Sequence, residues 1–355
     1  MIKQVSFSEC DLRSPIFDSL IGDYVGFQEW FQRKSLEGAT ATIIEKNGEI
    51  EAFVYLKDEN EEIRLEEKIL PKVQRIKIGT FKTNSILKGQ RYGEGLIGNT
   101  LRQWADSEAE EIYVTTFPKQ ESLIGMLKAY GFELAGEVEN GDGEQLYLRS
   151  KKSVNFSDPK KSFPFIKAGK KGKYLLIDEK YHDTLFPQSE LARGMNEALD
   201  LDVKNGVTKM YVSGIYNYNK LSIGDFMIVY RKSETTPKKY HSAATGVVVV
   251  ENVEIVKENF RTKMDYNEFV NLLGNKTVLD EKTLQDYYNS RNCSVLTIVY
   301  SQFFGAGNNV NMNTLNESLL WTKEGQYPAQ IDLSTKDLSE ILELGGKNEK
   351  NVIIY

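Results

Sequence analysis

One stretch constrains the fold of this chain more than any other. An alternating, β-branched run, Arg75–Leu87, leads into Gln90-Arg91-Tyr92-Gly93-Glu94-Gly95, and then Leu96, Ile97, Leu101, Trp104 and Ala105 recur at helical spacing. The run predicts a long strand and the spacing predicts a helix over Leu96–Ala109, so the glycines fall in a strand-to-helix turn. Glycine lets a backbone turn tightly and aim several N–H groups at one spot, beside the positive end of the helix that starts there. That geometry suits a pyrophosphate. The same glycines also satisfy a tight turn for steric reasons alone, and the six residues by themselves leave both readings open.

The surrounding pattern is that of a mixed α/β sheet. Residues 38–56 read as two strands joined by Asn47-Gly48, a dipeptide that supplies the positive φ angles of a tight hairpin. Ile112–Phe117 is the next expected strand, Glu121–Tyr130 an amphipathic helix ending at Gly131, and Gln145–Arg149 a closing strand. Strands and helices alternate, which places residues 1–150 in the α/β class.

Gln90, Gly93 and Gly95, after a long strand and at the start of a helix, fill the pattern Gln/Arg-x-x-Gly-x-Gly/Ala; the strand Val114–Phe117, the helix Leu123–Tyr130 and the pair Gly131-Phe132 follow in order. In these residues the first 150 positions resemble the GNAT superfamily of N-acetyltransferases. The resemblance implies acetyl-CoA as acetyl donor, its diphosphate on the amides of Arg91, Tyr92, Gly93, Glu94 and Gly95 beside Gln90, with charge from Arg91 and Lys88. It implies a pantetheine arm hydrogen-bonded like an extra strand to the edge of Ile76–Phe81, around Ile78 and Gly79, and a backbone N–H near Gly79 or Thr80 that polarises the thioester carbonyl. The acceptor is an amine, which must lose a proton before attack. Leu127 stands where the family often carries a tyrosine acid, four residues before Gly131, and Gln120 where it often carries an asparagine. Tyr130 and Tyr113 are the substitutes as catalytic acid, each more readily read as a packing residue than as a catalytic one, and Glu66 and Glu67 are not distinguished as bases.

Residues 151–172 are rich in Ser, Lys, Pro and Gly and read as a basic linker, with a second domain over 173–355. There Tyr174–Ile177, Lys209–Ile215, Asp225–Tyr230, Gly246–Val250 and Ser294–Tyr300 are short β-rich runs; Asn259–Leu273 and Glu281–Asn289 are helix candidates, and Ser334 caps a tail helix ending at Leu344. Gly224-Asp225 before one strand and Gly246 at the start of another resemble the PUA-like small β-barrels that include the ASCH and EVE domains. The expected fold is thus a GNAT-like mixed sheet with helices, followed by a β-dominated PUA-like barrel with helical additions. Val212 and Gly214 occupy the Glu and Arg positions of the ASCH signature, which argues against a working ASCH site. The resemblance implies an RNA or nucleotide ligand. Such a ligand needs aromatic planes and cations, for which the candidates are Tyr216, Tyr218, Lys170, Lys171, Lys173, Lys209, Arg231, Lys232 and Arg261. Alternating tyrosines equally serve strand packing.

Charge sharpens this division. Residues 1–149 carry 18 Lys/Arg against 26 Asp/Glu, whereas residues 151–240 carry 17 against 10, so the middle of the chain is its basic part and suits either phosphates or a solvated linker. Two cysteines and two histidines leave no ligand set for a structural metal and no disulfide framework. No signal-peptide core and no apolar run of about 18–20 residues is present, so the expectation is a cytoplasmic protein without a membrane partner; a homodimer stays open. The function expected is N-acetyl transfer to an amine on an RNA or nucleotide-bearing substrate. The alternatives are a non-catalytic acetyl-CoA and nucleotide-binding regulator, and an acetyltransferase of protein or polyamine amines.

Overall fold

The computed structural model describes residues 2–84, 89–191, 202–321 and 327–355. The chain divides into two compact units, residues 1–154 and 155–355.

In the first unit, β1 (Ile2–Ser6), α1 (Asp18–Asp23) and α2 (Phe27–Leu36) precede the hairpin β2 (Thr40–Lys46) and β3 (Glu49–Glu59), whose turn residues Asn47 and Gly48 take φ of 54° and 83°. A small hairpin, β4 (Ile63–Arg64) and β5 (Ile69–Leu70), leads to β6 (Arg75–Thr83); then come α3 (Tyr92–Asp106), β7 (Glu111–Thr116), α4 (Glu121–Ala129), β8 (Glu133–Glu137) and β9 (Gln145–Ser150). The sheet order is β1-β2-β3-β6-β7-β9-β8, antiparallel except for β6 beside β7. Packing explains the placement of the early helices. Phe7, Phe17, Phe27 and Phe31 bury against Phe53 and Tyr55 of β3 in one aromatic cluster, with Phe7 edge-on to Phe53 at 5.5 Å between centroids. On the other face, α3 buries Leu96, Ile97, Leu101, Trp104 and Ala105, the set its spacing predicts.

The strand expected over Arg75–Leu87 ends at Thr83, and Lys88 lies outside the described residues. Strand β8 was not expected, because Gly136, at φ 153°, and a shift of register between Leu134 and Gly136 break its alternation.

The second unit contains α5 (Pro159–Ser162), β10 (Ile166–Lys167), β11 (Gly172–Asp178), α6 (Glu179–Leu185), β12 (Thr208–Ser213), β13 (Phe226–Lys232), α7 (Lys238–His241), β14 (Ala243–Glu258), β15 (Arg261–Thr262), α8 (Tyr266–Leu273), α9 (Glu281–Asn289), β16 (Cys293–Phe303), β17 (Val310–Asn311), α10 (Met312–Glu317), α11 (Thr335–Leu344) and β18 (Ile353–Ile354). Its main sheet runs β11-β13-β14-β16-β12. The expected closed barrel is not formed: among the described residues β11 and β12 do not pair. Their outer edges find other partners. The Tyr211 hydroxyl on β12 donates to Leu176 O on β11 at 2.9 Å, the Met210 amide donates to Lys276 O, and Gly172 bridges Leu333.

The stretch expected as a linker is folded for much of its length. Phe163, Phe165 and Ile166 are 1–2 % exposed, and β10 pairs in parallel with β18. Short polar surroundings hid three buried apolar residues, one of which, Ile166, pairs with a strand almost 190 positions away. Among the described residues no helix is long and apolar enough to cross a membrane, and no group of three or more His, Cys, Asp or Glu stands ready for a metal ion.

Candidate functional site

The site of the first unit begins where two strands part. β6 and β7 pair only over Arg75–Lys77 with Glu111–Tyr113, although β6 runs on to Thr83 and β7 to Thr116. Beyond Lys77 the edge of β6 that faced β7 has no strand neighbour among the described residues, which leaves a wedge lined by backbone groups. The register of β6 against β3 also shifts here: Tyr55 pairs Thr80 and Leu56 pairs Ile78, so Gly79 is bulged out. A Cβ at position 79 would lie 2.9 Å from the Tyr55 ring, which only glycine avoids.

At the far end of the wedge the turn into α3 is tight. Arg91 is the N-cap residue, at φ 60° in the left-handed region. The Gly95 amide makes the first helical bond, to Arg91 O, so the amides of Tyr92, Gly93 and Glu94 sit at the positive end of a 15-residue helix. Gly93 lies so close to the end of β6 and to α4 that an added Cβ would meet Met126 Sδ at 3.4 Å and Thr83 Cγ2 at 3.8 Å. Side-chain charge is arranged around this turn: Arg91 Nη2 contacts Glu94 Oε2 at 2.6 Å, and the Tyr130 hydroxyl donates to Glu94 Oε1 at 3.3 Å. Burial, then the Glu94 carboxylate, pushes the Tyr130 phenol well above its ordinary value. Gln90 lies beside them, its Oε1 3.4 Å from the Tyr92 hydroxyl. Ile78, Gly79 and Gln90 through Gly95 are thus distributed along one wedge and its mouth.

Tyr113 and Tyr130 are not brought together. Tyr130 ends α4 beside the glycine turn. Tyr113 sits at the base of the wedge, packed with Leu65 and Leu146 beneath the β4–β5 hairpin, and its hydroxyl donates to Glu59 Oε2. Lys57 Nζ pairs with Glu59 Oε1 at 2.8 Å, and Lys77 Nζ stands 5.6 Å from the Tyr113 ring centroid. Glu66 and Glu67 are exposed. Glu59 escaped sequence reasoning because it sits in an acidic run, Asp58 to Glu62, where only the register of β3, β6 and β7 singles it out. Arg75 escaped likewise. Buried at 1 % exposure, it binds Glu111 Oε2 at 2.7 Å, Glu61 O at 2.9 Å and Pro71 O at 2.8 Å, pinning the base of the wedge.

In the second unit the expected nucleic-acid residues do not form one surface. Lys209 is fully buried, its Nζ donating to Val203 O and Gly206 O at 2.7 and 2.9 Å, and Tyr218 is fully buried with its hydroxyl on Tyr174 O. Both are closed to a ligand; strand alternation did not reveal that the Lys209 amine turns inward. Arg231 is paired to Asp183 and Glu179, Lys232 to Asp178, Lys173 to Asp332, and Lys170 caps Ile223 O. Lys171, Arg261 and Tyr216 remain exposed. A cleft of about 170 Å³ opens where β11 and β12 fail to pair, with Tyr181, Tyr211, Tyr287 and Tyr327 in its lining.

No family model and no curated protein matches the chain. Among solved structures it is similar to an N-acetyltransferase from Staphylococcus aureus Mu50, at 13% identity and TM-score 0.33 over 42% of this chain and 97% of that one. It is also similar to a GNAT-family acetyltransferase from Bacillus cereus ATCC 10987, at 19% identity and TM-score 0.31 over 42% and 98%. A third is yncA, a putative acetyltransferase from Salmonella typhimurium with its cofactor acetyl-CoA, at 11% identity and TM-score 0.31 over 42% and 90%.

Proposed function

We propose that the first unit binds acetyl-CoA and transfers its acetyl group to an amine. The observation that carries this reading is the wedge: β6 and β7 separate after three paired residues, and the separation runs from a bulged glycine to the amides at the start of α3. An extended amide-bearing arm completes the edge of β6 as a further strand would, and a diphosphate meets the helix N-terminus. The thioester then falls near the Gly79 bulge, whose local amides polarise its carbonyl. Arg91 reaches the diphosphate by exchanging Glu94 for phosphate oxygens.

Calorimetric titration of the full chain with acetyl-CoA, beside Gly93→Glu, tests the reading. Micromolar binding, lost by at least tenfold in a variant that keeps its melting temperature, is the expected result. No binding by the wild type, or equal binding by a folded variant, refutes it.

For the second unit, the tyrosine-lined cleft favours a nucleotide-bearing ligand, stacked by one ring, as the source of the amine. An apolar cavity of about 150 Å³ holds a single small aromatic ring, so a cleft of about 170 Å³ accepts a base and excludes a duplex. Retention of RNA or adenosine monophosphate by the wild type, weakened in Tyr287→Ala, is expected; undiminished retention removes this role.

A further inference from the structure

Resting on the reading above, we infer that Glu59 is the group that binds the acceptor ammonium and takes its proton, with Tyr113 as its positioning residue. Geometry places it. The β9 residue Arg149, opposite Ile112 in the ladder, lies 5.3 Å from the Trp104 ring of α3, so Tyr113, the next residue on β7, faces the other side of the sheet. On that side the Glu59 carboxylate meets the Tyr113 hydroxyl at the last residue pair before β6 and β7 diverge. Its side chain is 8 % exposed, whereas Glu61, Glu62, Glu66 and Glu67 along the next turns are open to solvent.

The division of labour follows from the hydrogen bond. A tyrosine whose proton is held by a carboxylate is a poor acid toward a thiolate, and burial followed by the Glu59 charge raises its pKa further. The carboxylate remains an acceptor with lone pairs to spare. Burial pushes the Glu59 carboxyl up, but hydrogen bonds from Lys57 and Tyr113 and the charge of Lys77 outweigh it, so the group is an anion at neutral pH. An ammonium entering beneath the β4–β5 hairpin displaces Lys57, the exposed member of the set, and docks on Glu59.

The step balances as follows. The ammonium gives one proton to Glu59, and the freed lone pair forms a C–N bond to the thioester carbonyl carbon as the carbonyl π pair moves onto oxygen. That pair then re-forms the carbonyl, and the C–S bond breaks with its electron pair on sulfur. The thiolate takes the second proton from the adduct nitrogen, and Glu59 returns its proton to water. One ammonium and one thioester give one amide, one thiol and one released proton.

The test uses the full chain, acetyl-CoA, and two nucleophiles: 1,3-diaminopropane, charged at neutral pH, and hydroxylamine, already neutral there. In Glu59→Gln the ratio of kcat/KM for diaminopropane to that for hydroxylamine is expected to fall about 100-fold or more, the usual weight of a general base. The gap is expected to narrow as pH approaches about 10.4, where the amine deprotonates unaided. Tyr113→Phe is expected to lower the same ratio less, and Glu59→Asp to restore part of it. Acetyl-CoA titration reports whether each variant keeps its donor site. Equal loss with both nucleophiles, no loss, or no transfer to diaminopropane at any pH by a wild type that binds acetyl-CoA each overturns the role of Glu59 while leaving the donor site intact. Absence of acetyl-CoA binding by the wild type overturns both.

Discussion

Arg75→Met is expected to destabilise the first unit by about 3 kcal/mol. Arg75 is 1 % exposed and satisfies three acceptors, the Glu111 carboxylate and the carbonyls of Glu61 and Pro71. Methionine fills the space of the stem but donates nothing. Removing one partner of a buried ion pair costs about 3–5 kcal/mol; the Glu111 side chain keeps 16 % exposure and regains some hydration, which places the cost at the low end. For a unit of this size each kcal/mol lowers the melting temperature by about 2–4 °C, giving about 6–12 °C. Hydrogen exchange under a urea series reads the effect locally, with peptides from β6 and β7 as reporters and peptides from β14 and β16 as the internal reference. The double variant Arg75→Met/Glu111→Leu is expected to recover part of the loss, because it removes the stranded carboxylate. A shift below about 1 kcal/mol in β6 and β7, or an equal shift in β14 and β16, refutes the claim that Arg75 holds the base of the wedge.

Three further outcomes are expected. Gly246→Ala puts a Cβ 2.3 Å from Gln302 O and 3.1 Å from Phe303 Cα, between the two longest strands of the second unit, and is expected to cost about 3 kcal/mol or more in urea unfolding. His182 is fully buried; its Nδ1 lies 2.8 Å from Asp183 Oδ1 and its Nε2 lies 2.8 Å from Thr245 Oγ1. Burial lowers its pKa below the ordinary 6.5 despite Asp183, so the folded state binds fewer protons than the unfolded one. Stability is therefore full above the unfolded value and falls as pH drops below about 6.5, by up to about 1.4 kcal/mol per pH unit, a slope expected to flatten in His182→Gln. Lys209→Met strips the donor from Val203 O and Gly206 O and is expected to lower the melting temperature of the second unit without changing RNA retention, since the amine is inside.

Local signals were legible in the sequence where one dipeptide or one cap decides an element. Asn47-Gly48 fixed the β2–β3 hairpin, and Ser334 caps α11 with a capping box to Asp337. Long-range pairing was not legible. The β-rich run Gly246–Val250 predicts a strand ending at Val250, whereas β14 runs to Glu258; register shifts at Val250/Asn252 and Ile255/Lys257 break the period of two that announces a strand. The glycine turn could be read because its residues are contiguous. The wedge could not, since it is defined by where β6 stops pairing with β7, and Glu59 and Arg75 acquire meaning only from partners 54 and 36 positions away.

In the proposed complex acetyl-CoA lies along the open edge of β6 with its diphosphate on the start of α3. Hydrogen exchange of the full chain with and without acetyl-CoA measures this directly. Slowed exchange is expected at the amides of Ile78–Phe81 and Tyr92–Gly95, with the peptides of β14 and β16 unchanged. Unchanged exchange in both segments at saturating acetyl-CoA, or protection confined to the second unit, would contradict it.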